Sequence, residues 1–162
     1  MNDVAAFYRG EAVHPDGHTL DDVLGWDDRR LAVTHNYIQW LFPLKKASAQ
    51  VPNSPILSAG EVDLFRRDPG LRRGLLRSFE RMLRFYGYRL AMGSDGRAQV
   101  DRGSDFDARS AEWLTPGNHN YRRISRILES MRLLGLGEMS RLFLQALTDL
   151  YRGESRRIGW TT

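Results

Sequence analysis

Asp68-Pro69 and Gly87 bracket an amphipathic run that has to be a helix. Asp accepts from the free amides of a first helical turn, while Pro at the first helical position gives up no hydrogen bond. Gly87 supplies the left-handed conformation that closes the last turn. Between them Leu71, Leu75, Phe79, Met82, Leu83, Phe85 and Tyr86 share one broad face at roughly 100° per residue. An apolar face that wide must be covered, so the rest of the chain is expected to pack on it.

The remaining punctuation points the same way. Thr19 with Asp22 three positions on opens a short helix that Gly25 closes, and residues 27–32 form a further turn. Thr34 reads as the cap of a helix through Tyr37, Ile38 and Leu41, which Pro43 ends. Residues 44–57, rich in Ser, Ala, Asn and Pro, form a long irregular connection. Ser58 and Glu61 make a capping box for a helix carrying Val62, Leu64 and Phe65.

Downstream, Gly93-Ser94-Asp95-Gly96 is turn chemistry between two segments that can pair as a small hairpin. A helix over 105–114 stops before Pro116, and Asn118 caps the next. That helix shows an apolar face of Ile124, Ile127, Leu128, Met131 and Leu134, closed by Gly135. A last helix over 138–151 ends at Gly153. The expectation is an all-α, single compact multi-helix domain with long irregular connections and room for one hairpin, spanning 1–155, followed by a basic C-terminal tail at 156–162.

Composition narrows the function classes. The 162 residues hold no cysteine, so disulfides, thiolate metal sites and thiol nucleophiles are excluded. The N-terminus has no signal-peptide pattern, and no window is long and uncharged enough to span a membrane; the expected location is cytoplasmic. A formal charge of +4, with 20 acidic residues among 24 basic ones, is not a nucleic-acid footprint by itself. Lys45 and Lys46 are the only lysines, an arginine bias typical of GC-rich coding.

The catalytic and metal signatures fail on inspection. Residues 101–112 place acids as a calcium loop would, but Gly103 takes a ligand position, Phe106 replaces the turn glycine and Arg109 brings positive charge. His14-x-Asp16-x-His18 lies in a turn with no helix-spaced partner pair. No nucleophile elbow, P-loop or dinucleotide fingerprint occurs, and no cofactor or metal is expected. An enzyme would need His35 or His119 in a cleft beside an acid.

Two arginine groupings remain. Arg73, Arg77, Arg81 and Arg84 fall in one quadrant of the long helix, opposite its apolar face, where they could track phosphates of a nucleic acid or other polyanion. The plain reading of this stripe is a solvated helix face, since Glu80 borders it and no aromatic interleaves it. Arg123 and Arg126 flank the apolar face of a later helix whose first turn holds His119 and Asn120, an anion-tolerant surface.

Two segments carry a family resemblance. Thr34-His35-Asn36-Tyr37-Ile38-Gln39-Trp40-Leu41-Phe42-Pro43-Leu44 resembles the H-x-Y-I-Q-W-L-F-P signature of the opioid growth factor receptor conserved region. His119-Asn120-Tyr121-Arg122-Arg123-Ile124-Ser125-Arg126-Ile127-Leu128, followed by Leu134-Gly135-Leu136, resembles that family's H-N-x-x-R-I-T-R-I-L helix and its L-G-L. Phe7-Tyr8-Arg9, Pro15-Asp16-Gly17 and Phe85-Tyr86-Gly87 match in order. The resemblance implies a helical domain and, in animals, a receptor for an enkephalin-type peptide that acts at the nucleus and is peripherally membrane-associated. The arginine bias, and the lack of the long C-terminal repeat region of animal members, point to a bacterial stand-alone member.

The resulting expectation is a non-enzymatic receptor-like module. A peptide or small anionic ligand would sit in a cleft lined by His35, Tyr37, Gln39, Trp40, His119, Asn120, Arg123 and Arg126. Ile38, Trp40, Leu41 and Phe42 are expected in the core, and the partners of Gln39 on the helix bearing His119 and Asn120. The alternative is polyanion binding along Arg73, Arg77, Arg81 and Arg84.

Overall fold

A computed structural model describes the backbone of residues 3–158 and the side chains of residues 3–153. In chain order the helices begin with α1 (Val4–Tyr8), α2 (Leu20–Leu24), α3 (Asp28–Val33), α4 (Ile38–Leu41), α5 (Ala59–Arg67) and α6 (Pro69–Tyr86). Strands β1 (Tyr88–Met92) and β2 (Ala98–Arg102) follow, then α7 (Phe106–Trp113), α8 (Asn120–Leu133) and α9 (Gly137–Ile158). The fold is mostly helical with one two-stranded antiparallel sheet, in which Leu90 pairs with Val100 across the expected turn.

Local signals act where the sequence places them. Thr19 accepts from Asp22 N while Asp22 accepts from Thr19 N, and Ser58 and Glu61 do the same at α5. Asp68 accepts from Gly70 N and Leu71 N, and Gly87, at φ 91°, closes α6. A Cβ at Gly87 would stand 2.9 Å from the Phe106 backbone, so α7 packs closely over that turn.

Three local expectations change, and one element is new. Thr34 ends α3 instead of opening α4, whose start at Tyr37 has no side-chain cap. Asn118 sits one position before the helix cap at His119, yet its Oδ1 still accepts from Asn120 N. Gly153 does not stop α9, which continues to Ile158; of the expected tail, 159–162 lies outside the described residues. The short α1, capped by Asp3 on Ala6 N, has no counterpart in the sequence reading, because five residues carry too little periodicity to register.

α6 is the central element. Its predicted apolar face is buried throughout, covered by α1, α2, α5, α7 and β1. At Gly74 the Tyr8 ring comes so near that an added Cβ would lie 2.8 Å from it. Tyr8 Oη in turn donates to Leu41 O and shares a hydrogen bond with Ser78 Oγ, tying α1 to α4 and α6. At the far end Tyr86, Trp113, Tyr88 and Phe143 pack edge-on or stacked, and Trp113 Nε1 donates to Tyr86 O at 3.0 Å.

Candidate functional site

The segment from α3 to α4 leaves carbonyls that its own short helices cannot satisfy, because α4 is only four residues long. α8 supplies the donors. Arg123 Nη1 donates to Leu31 O at 2.8 Å, and its Nη2 to Thr34 O at 2.8 Å and His35 Nδ1 at 3.3 Å. Arg126 Nη1 donates to Phe42 O at 3.0 Å, and Ser130 Oγ to Pro43 O at 2.8 Å. Positions 123, 126 and 130 share one helix face, so a single stripe of α8 holds the whole segment 31–43 in place.

This docking creates a cleft of about 400 Å³. Its floor is Ile38, Gln39 and Arg123; its rim is His35, His119, Arg122 and Arg126, with Ser48, Gln50 and Val51 of the irregular connection forming the far wall. His35 and His119 meet edge to face with ring centroids 5.7 Å apart. Of the eight residues expected there, His35, Gln39, His119, Arg123 and Arg126 converge on the cleft.

The other three lie behind it. Tyr37 is fully buried and donates to Leu31 O, because its ring is needed against Trp26. Burial pushes its phenol up to about 12, opposed by the charge of Arg123. Trp40 is 6% exposed and packs on Phe7 and His14, as the core expectation for this segment holds and its place in a cleft does not. Asn120 is buried beside Asn118 and accepts from Tyr86 Oη. Gln39 also departs from expectation: it is 5% exposed, and its Oε1 is sealed from solvent with no hydrogen-bond partner on α8 or elsewhere among the described residues.

Electrostatically the cleft is one-sided. No carboxylate lines it, and among the described residues Arg122, Arg123 and Arg126 form no ion pair. An arginine only donates, so the Arg123 contact makes His35 Nδ1 an acceptor and puts the proton of the neutral ring on Nε2. Partial burial, then the charge of Arg123 and the neighbouring His35, lower the pKa of His119 below its ordinary value. Burial lowers Arg126 as well, opposed by Glu129.

The arginine stripe of α6 divides. Arg73 and Arg84 are exposed, Arg77 pairs with Asp21 at 2.8 Å, and Arg81 is turned inward, 8% exposed, donating to Trp26 O at 2.8 Å and Asp28 at 2.9 Å. Arg81 is therefore not on the solvated face that its spacing predicts: free carbonyl and carboxylate oxygens below α6 draw it in. A larger hollow of about 660 Å³ between β2 and α9 has a mixed rim of Asp95, Arg97, Glu138 and Arg141, where opposite charges cancel.

The sequence profile of the opioid growth factor receptor conserved region matches residues 2–149. The chain belongs to that family. It is 38% identical over 135 residues to the opioid growth factor receptor of Rattus norvegicus, covering 81% of this chain and 23% of that one. The Homo sapiens receptor is equally similar, 38% over 135 residues, with 19% of its length covered. Opioid growth factor receptor-like protein 1 of Mus musculus is 34% identical over 133 residues, covering 80% of this chain and 28% of that one. The chain thus spans about a quarter or less of the receptors it matches. No solved structure matches it. Among the described residues no helix is long and apolar enough to cross a membrane.

Sequence reasoning missed Arg122 and the wall of Ser48, Gln50 and Val51. Arg122 had a usable signal, since it precedes Arg126 by one helical turn. The wall had none, because an irregular connection carries no period from which its position could be read.

Proposed function

We propose that this domain is a non-enzymatic, receptor-like binding module whose ligand, a peptide or a small anionic molecule, docks in the cleft between α8, the start of α4 and the 48–51 wall. One observation carries the reading: three guanidinium groups that form no ion pair among the described residues converge on a cleft with no carboxylate in its lining. Such a site has positive potential and hydrogen-bond donors at its rim, which are features of a preformed site for an anionic ligand. The names of the relatives, opioid growth factor receptors, are consistent with a receptor-like role.

Titrating the protein with inorganic phosphate, small carboxylates and acidic peptides at low ionic strength, while following the His35 and His119 ring resonances, tests the reading. A bound anion should move both rings, and Arg122→Gln with Arg126→Gln should abolish the shift. If no ligand in the panel moves either ring, the cleft is not the site. Polyanion binding along α6 rests on fewer residues, because Arg81 and Arg77 are already paired. It would show as salt-dependent binding of DNA or RNA that Arg73→Gln with Arg84→Gln weakens and Arg126→Gln does not.

A further inference from the structure

We propose that the cleft between α8 and the 48–51 wall takes the phosphate group of a small hydroxylated molecule, a phosphate monoester of the sugar-phosphate type, in preference to a carboxylate or a sulfate ester. This rests on the cleft being an anion site and adds which anionic group it selects.

Charge selects against single anions. Arg122, Arg123 and Arg126 bring three guanidinium charges to a lining that holds no carboxylate. Glu129, the carboxylate that acts on Arg126, stands outside the lining and pairs with Lys46 at 3.4 Å. A carboxylate or a sulfate ester brings one negative charge, whereas a phosphate monoester carries about two near neutral pH.

The placement of donors points to the same group. Arg123 spends its amino groups on Leu31 O, Thr34 O and His35, so it contributes charge from the floor. Arg126 gives Nη1 to Phe42 O and keeps Nε and Nη2, and Arg122, one helical turn earlier, keeps its whole guanidinium among the described residues. Arg123 also occupies His35 Nδ1, which leaves Nε2–H of that ring as a donor. Three rim residues thus each hold a free donor, one for each terminal oxygen of a phosphate monoester, while a carboxylate has only two oxygens to offer.

The far wall sets what carries the phosphate. Ser48 Oγ accepts from Gln50 N at 3.3 Å and Val51 N at 3.2 Å, so its O–H remains to donate, and Gln50 lines the same wall with a carboxamide. A hydroxyl and an amide can each complement sugar hydroxyls, which both donate and accept. The only rings in the lining are the imidazoles of His35 and His119, set edge to face, so no slot between parallel rings awaits a nucleobase. The volume of about 400 Å³ lies at the small end of the roughly 300–1,000 Å³ typical of ligand sites.

Calorimetric titration of the full chain at about pH 7.5, where a phosphate monoester is doubly charged, tests this with glucose 6-phosphate, glucose 6-sulfate and glucuronate. The three share a pyranose ring and differ in the anionic group at position 6. Glucose 6-phosphate should bind at least about tenfold more tightly than either of the others, and Arg126→Gln should remove at least about that factor. If the variant does not fold, the ranking on the wild-type chain still decides. Glucose 6-sulfate or glucuronate binding as tightly as glucose 6-phosphate overturns the proposal and leaves the anion cleft standing; no binding by any of the three, nor by the carboxylates and acidic peptides, removes both. Inorganic phosphate should bind more weakly than glucose 6-phosphate, and equal binding overturns the assignment to a hydroxylated ester. Ribose 5-phosphate against adenosine 5′-monophosphate separates two sources of the same group: equal binding assigns the cleft to sugar phosphates, and tighter binding of the nucleotide assigns it to nucleotides.

Discussion

Replacing Arg123 by Met keeps most of the side-chain length and removes the charge, which isolates what the guanidinium does for the fold. Arg123 is 6% exposed and makes two short hydrogen bonds, to Leu31 O and Thr34 O, both at 2.8 Å. Hydrogen bonds involving a charged group contribute about 1.5–3 kcal/mol each, so the pair accounts for roughly 3–6 kcal/mol. Against this stands the cost of holding a buried cation with no carboxylate, which the substitution relieves. The expected net loss is about 3 kcal/mol, or roughly 6–12 °C in Tm for a domain of this size. Thermal and urea unfolding followed by circular dichroism measure it, with Arg122→Met as the control. Arg122 is exposed and forms no ion pair, so its loss should stay within about 0.5 kcal/mol. Equal stabilities for the two variants would refute the idea that α8 holds the 31–43 segment through Arg123.

Trp40→Ala should destabilise the domain by about 3–5 kcal/mol, since Trp40 is buried against Phe7 and His14; a Tm within error of wild type would contradict the core assignment. Gly87→Ala places a side chain at φ 91° and 2.9 Å from the Phe106 backbone, so a loss of about 2 kcal/mol or more is expected in the same unfolding assay. Anion affinity should strengthen as pH falls. His119 is held neutral in the free cleft by burial, by Arg123 and by His35, and a bound anion favours its protonated form, so binding takes up a proton. Affinity should then be flat well above the ordinary histidine range near about 6.5, rise as pH drops through it, and level off below the depressed free-state value. His119→Asn should flatten that profile, and an unchanged pH dependence would exclude His119 as the group responsible.

Much of the architecture was legible in the residues because it depends on contacts a few positions apart. Thr19 with Asp22, Ser58 with Glu61, Asp68 with Pro69, and Gly87 act within one helical turn, and the apolar period of α6 requires a covering core whatever its origin. The family was legible too, through the runs beginning at His35 and His119, and five of the residues those runs nominate do line one cleft. What the sequence left open was the direction in which polar side chains turn. Tyr37, Trp40 and Asn120 face the core, Arg81 turns beneath α6, and Gln39 finds no partner where one was expected. These orientations are set by oxygens far along the chain. Arg123 is held by carbonyls 92 and 89 positions before it, and the wall opposite comes from a connection with no periodicity. Helix signals reach four residues, whereas the burial of a guanidinium depends on which unsatisfied carbonyls packing brings within three ångströms of it, and only the tertiary structure decides that.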